Sequence, residues 1–221
     1  GVSVRQMLIV SKHLSDYIHD CIRNRNQSIW LAQREGRAKD SDDRTQTSLL
    51  KMLTLHDSSD PLNTIKQLNI IPLSISYEFD PCDFLKAKEY QLKRDNPEHK
   101  KSQADDIENM YTGMVGYKGR VHFRLGECIN PVISDIPSET GRNEMLDKVA
   151  EIIDRAIFRN YSFFPLNYIA SEYSNEEKQN FINYINSQVE KIDIPNKDVE
   201  FLRSKMIEMY GNTVKNHLNS K

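Results

Sequence analysis

Residues Ile70–Glu78 read IIPLSISYE, a nearly continuous β-rich run in a chain otherwise dominated by helical spacing. Such a run suits a buried strand, with Pro72 near the beginning, where a missing N–H does least harm. Upstream, Asp60-Pro61 is an N-cap followed by a first-turn proline and predicts a short helix to Leu68, and Thr47–Leu55 predicts another. Ser28–Gln33, holding Ile29, Trp30 and Leu31, reads as a strand running into a charged loop. Ser3 caps a first amphipathic helix, in which Met7, Val10, Leu14, Tyr17, Ile18, Cys21 and Ile22 recur every three or four positions. Downstream, Phe84–Arg94 and Asp105–Met114 predict helices joined by the polar stretch Asp95–Ala104, and Val121–Leu125 predicts a third strand.

The order strand, loop, helices, strand, helices, strand predicts the α/β class, with a partial, mostly parallel sheet of three strands covered by helices. Asn143–Arg159, Glu176–Val189 and Asp198–Leu218 follow as helices. The expected division is an α/β part over 1–142 and a helical C-terminal region over 143–221 that packs on it. Three strands make a thin sheet, and the first helix has no strand feeding it, so the sequence is expected to begin inside a domain.

The 221 residues carry 30 Lys and Arg against 32 Asp and Glu, a net charge of -2 that argues against a dedicated nucleic-acid binder. Cys21, Cys82 and Cys128 lie far apart with no CxxC pair, which fits neither a disulfide framework nor a zinc ribbon and points to a reducing cytoplasm. No run approaches the roughly 18 apolar residues of a membrane span.

Chemistry concentrates in Gln33–Arg44, QREGRAKDSDDR. Arg34, Arg37, Lys39 and Arg44 surround Gly36 just past the expected strand, where open α/β sheets place ligand loops. A glycine lets backbone N–H groups approach an anion, and an arginine fork can hold a phosphate. Glu35, Asp40, Asp42 and Asp43 balance those cations, so a solvated loop of ion pairs is the other reading. Lys86, Lys88, Lys93, Arg94, Lys100 and Lys101 outnumber Glu89, Asp95 and Glu98 by three. They form either a solvated surface or an attraction for an anionic bilayer or coenzyme A phosphates. Tyr161, Phe163, Phe164, Tyr168 and Tyr173 gather around Pro165 as core packing, with a membrane-interface contact as the alternative. Gly113, Gly116 and Gly119 are attributed to turn geometry before a strand.

Glu35-Gly36-Arg37, followed about thirty-five residues later by Ile71-Pro72 and Tyr77-Glu78, resembles the third and fourth blocks of the glycerol-phosphate and lysophosphatidate acyltransferase family, bacterial type. The resemblance runs roughly from Val4 to Ala170 and includes Arg120–Ile129. It implies transfer of a fatty acyl group from a thioester to the hydroxyl of a glycerol-phosphate-type acceptor, in phospholipid biosynthesis. Arg37 would hold the acceptor phosphate, with Glu35 and Gly36 shaping the loop and Arg34, Lys39 and Arg44 assisting. Pro72 would shape the acyl-side strand. No metal and no bound cofactor is expected, since acyl-CoA or an acyl carrier protein thioester enters as substrate. The expected location is cytoplasmic, peripheral on the inner face of the cytoplasmic membrane, with no nucleic-acid partner.

The family's general base belongs to a His-x-x-x-x-Asp block, whose Asp orients the imidazole. Here the fifth residues after His13, His19, His56, His99 and His122 are Ile18, Asn24, Pro61, Ala104 and Glu127. No catalytic residue is identified in this chain, which alone is expected to be inactive. His13, which could share a helix face with Asp16 and Asp20, reads as part of a surface pair, and the adjacent residues of His19-Asp20 and His56-Asp57 point in different directions on regular structure and carry no catalytic role. The rival to the acyltransferase reading is a non-catalytic module that binds phospholipid or a protein partner.

Overall fold

The computed structural model describes residues 3–34, 36, 38–169 and 175–221. In chain order its elements are α1 (Val4–Arg23), α2 (Thr47–Leu53), α3 (Pro61–Lys66), β1 (Leu73–Tyr77), α4 (Asp83–Asp95) and α5 (Gln103–Val115). They continue with β2 (Val121–Leu125), α6 (Asn130–Ile133), α7 (Arg142–Arg159), α8 (Pro165–Ile169), α9 (Asn175–Glu190) and α10 (Val199–Asn219). Caps fix several helix starts. The Ser3 hydroxyl accepts the Gln6 N–H while the Gln6 side chain accepts the Ser3 N–H, and Ser102 and Asp105 repeat that box at α5. Asp60 caps α3 ahead of Pro61, and Asp198 caps α10.

The helices predicted at 47–55, 60–68, 84–94, 105–114, 143–159, 176–189 and 198–218 all form, with small shifts at their ends. The sheet differs. Among the described residues two strands pair, and they are antiparallel. Gly126 N–H donates to Pro72 O at 2.8 Å and Glu78 N–H to Arg120 O at 2.9 Å, so one strand's numbering falls as the other's rises. The three-stranded, mostly parallel sheet is therefore corrected to this ribbon beside a predominantly helical structure. Ser28–Gln33 is not a strand, because its backbone joins no sheet and Trp30 is 75% exposed. Apolar composition signals burial or extension and leaves the pairing partner unspecified.

The chain forms two compact units, each assembled from three separated segments. The first comprises Gly1–Arg37, Arg44–Leu73 and Leu125–Asn160. In it α2 packs on α1 and α7, and α6 on α3 and α7, around Leu50, Leu53, Ile65, Ile133, Leu146 and Val149. From the first helix Ile18 and Cys21 are buried, whereas Met7, Val10, Leu14 and Tyr17 stay exposed. The second unit comprises Ala38–Asp43, Ser74–Arg124 and Tyr161–Lys221. There α10 packs on α4, α8 and α9 and closes a core of Ala87, Phe181, Ile185, Val189, Leu202, Met206 and Tyr210. Each large apolar side chain so buried contributes about 1.5–3 kcal/mol.

Candidate functional site

The Gln33–Arg44 segment is anchored at both ends. Gln46 N–H donates to Gln33 O at 2.9 Å. Glu35 and Arg37 lie outside the described residues, and Arg34 is half-buried. Gly36 has φ +71°, a region that side chains avoid, and a Cβ added there would meet nothing within 4 Å. Its glycine answers a backbone requirement and not a shortage of room.

Beyond Gly36 the chain closes on itself. Ala38 N–H donates to Asp43 Oδ1 at 2.8 Å and Asp42 N–H to Asp40 Oδ1 at 3.1 Å. Asn212 and Asn216 of α10 donate to Asp40 O and Asp42 Oδ1, each at 2.9 Å. In the first unit Thr45 gives both its N–H and its hydroxyl to Asp154 Oδ1, at 2.8 and 2.6 Å. Arg44 lies over the Phe158 ring, 4.7 Å from its centroid. Lys39 turns to Glu89 of α4. Pro72 is buried, and its carbonyl carries the Gly126 bond.

Glu89 gathers more than one cation. Its side chain is 7% exposed, and Oε1 accepts from Lys39 and from Lys93, the latter at 3.0 Å, while Oε2 accepts from Lys101 at 2.8 Å. Burial raises this carboxyl, but the three ammoniums outweigh burial and hold it down at about 2. The Lys39 ammonium moves down as well, chiefly through burial, with Lys93 adding to the effect against the pull of Glu89. Sequence reasoning counts Glu89 merely as one charge to subtract from the basic segment. The signal that could have found it is its i, i+4 relation to Lys93.

That segment is less available to a bilayer than its composition suggests. Lys86 pairs with Asp80 at 2.5 Å and Arg94 with Asp198 at 2.7 Å, so Lys86, Lys93, Arg94 and Lys101 all sit in ion pairs. In the aromatic group, Phe164 is buried, Phe163 meets Tyr168 and His217 edge-on, and Tyr173 falls outside the described residues. Of the glycines, Gly113 sits inside α5, Gly116 caps that helix, and Gly119 has φ +60° at the approach to β2.

Two polar clusters escape sequence reasoning because their members are far apart in the chain. His56 Nδ1 lies 2.9 Å from Asp16 Oδ1, and that hydrogen bond, with help from Lys12, lowers the Asp16 carboxyl. His56 stacks on the buried His19 at 4.3 Å, while its chain neighbour Asp57 accepts from Ser59. In the second unit the fully buried Asp83 accepts from the hydroxyls of Tyr184 and Tyr210, at 2.7 and 2.9 Å. Burial pushes Asp83 up to about 6 against those two bonds.

Among the described residues no group of three or more His, Cys, Asp or Glu is placed to hold a metal ion, and no helix is long and apolar enough to cross a membrane. Compared with protein-family models, curated proteins and solved structures, the chain matches none.

Proposed function

We propose that the chain is the C-terminal, phosphate-handling part of a glycerolipid acyltransferase, acting on a glycerol-phosphate-type acceptor with an acyl thioester as donor. The observation that carries this reading is Gly36 at φ +71° in the centre of the Glu-Gly-Arg block. A glycine that holds a left-handed backbone lets backbone N–H groups approach an anion closely, which supports a phosphate-binding role for this block. Arg37 supplies the charged fork, and the Ala38–Asp43 and Thr45–Asp154 bonds hold the loop's far end still. The general base belongs to a His-x-x-x-x-Asp block, of which this sequence contains no copy. Peripheral attachment to the membrane belongs to the same reading, since the product is a lipid.

Titrating glycerol phosphate and a long-chain acyl thioester separately into the chain tests it. Arg37→Ala is expected to lower glycerol-phosphate affinity by about ten- to a hundredfold, the effect of one charge-assisted phosphate contact. Thioester affinity should not move. An unchanged acceptor affinity in a folded variant removes Arg37 from the site.

A further inference from the structure

We propose that Lys39, Lys93 and Lys101 form a binding site for a phosphomonoester dianion, assembled around Glu89. The three lysines come from three stretches of the second unit: the segment after Gly36, the last turn of α4, and the polar connection before α5. All three converge on one carboxylate that is itself almost fully buried. An ordinary surface ion pair matches charge for charge. Here three cations meet one anion, leaving a surplus of two positive charges held at short range.

A lysine ammonium has three N–H donors, and one from each lysine is directed at Glu89. Donors therefore remain at three neighbouring ammoniums, two of which share a single oxygen of Glu89. A phosphomonoester offers three oxygens and a charge near -2 at neutral pH, which matches both the surplus and the donors. A phosphodiester has one negative charge and two such oxygens, so it fits less well. The surplus belongs to the four groups in direct contact. A cleft lined by Lys101 and Glu89 is also lined by Lys88, His99, Asp105 and Glu108, and Asp105 is already engaged by Ser102. Counting Lys88 with those two carboxylates and with Asp40, which acts on the adjoining Tyr90, leaves the wider region neutral.

The site needs only these lysines and Glu89, and it stands whether or not the acyltransferase reading does. Its ligand is a free phosphomonoester or the terminal phosphate of a lipid such as phosphatidate, and the experiment separates them. Lysine acetylation by a soluble reagent, read residue by residue by mass spectrometry, is compared in methyl phosphate, dimethyl phosphate and sodium chloride at equal ionic strength. Methyl phosphate is expected to protect Lys93 and Lys101 while leaving Lys51 and Lys148 unaffected, and dimethyl phosphate to protect them less.

The double variant Lys93→Gln/Lys101→Gln should lose methyl phosphate affinity by about tenfold or more, two contacts of severalfold each at exposed positions. Arg37→Ala should leave the protection intact, which separates this site from the acceptor site. Vesicles containing phosphatidate, against phosphatidylcholine alone, complete the test. Protection by those vesicles with none by methyl phosphate assigns the site to the lipid, and the reverse assigns it to a soluble ligand. The proposal is overturned if neither protects beyond chloride, or if the double variant binds as the native chain does.

Discussion

Asp83 shows how one buried carboxyl can set a pH dependence. Its folded pKa is raised from 3.8 to about 6, so the folded chain holds this proton more tightly than the unfolded chain does. The associated stability is fully present below the ordinary carboxylate value of 3.8 and is lost as pH rises through about 6. A difference of that size between the folded and unfolded chain corresponds to about 3 kcal/mol. Urea unfolding of the native chain and of Asp83→Asn at about pH 5 and about pH 7.5 checks this. About half of that contribution is already gone at pH 5, so the native chain should lose about 1.4 kcal/mol relative to the variant on going to the higher pH, and parallel behaviour of the two proteins would refute it. Glu89 has the opposite sign: its contribution is present above its ordinary carboxylate range and fades as pH falls toward about 2. Neither behaviour was legible in the sequence, because Asp83 meets its tyrosines more than a hundred residues away and Glu89 meets Lys39 fifty residues away.

At the level of elements, what the sequence disclosed was local. Helix positions follow from three- and four-residue spacing, and caps such as Ser3, Asp60 and Asp198 are short-range signals, so they could be read directly. Strand pairing is a long-range fact. Ile70–Glu78 and Val121–Leu125 read as strands, but their antiparallel register follows from contacts that no local pattern encodes, and β2 is exposed along its whole length. The Glu-Gly-Arg loop was readable as a loop, and its inward ties through Asp40, Asp42 and Thr45 were not. The β ribbon also depends on Gly119. A Cβ there would lie 2.6 Å from Glu78 Oε2 and 2.8 Å from Phe79 Cδ2, on a backbone at φ +60°. Gly119→Ala should therefore destabilise by about 1–3 kcal/mol. Gly141→Ala, where nothing stands within 4 Å and φ is -58°, should cost under about 1 kcal/mol. Thermal unfolding of the two variants tests the contrast, and equal losses would contradict it.

For the whole molecule, the sharpest expectation is catalytic. The purified 221 residues, given glycerol phosphate and a long-chain acyl thioester, should show no turnover, because loss of a general base alone removes roughly two to four orders of magnitude in rate. Clear turnover would mean that another group serves as base, and the His56–Asp16 pair would be the first to replace. The interleaving of the units has a separate consequence, in time. Residues 38–43 are made early, but they belong with α10, whose Asn212 and Asn216 hold them and whose Leu202 and Met206 close the second core. A ribosome adding about 5–20 residues per second makes those early residues wait many seconds for Val199–Asn219 to emerge. Until then the second core lacks Leu202, Met206 and Tyr210, and the apolar side chains it will bury against them have no partner from that helix.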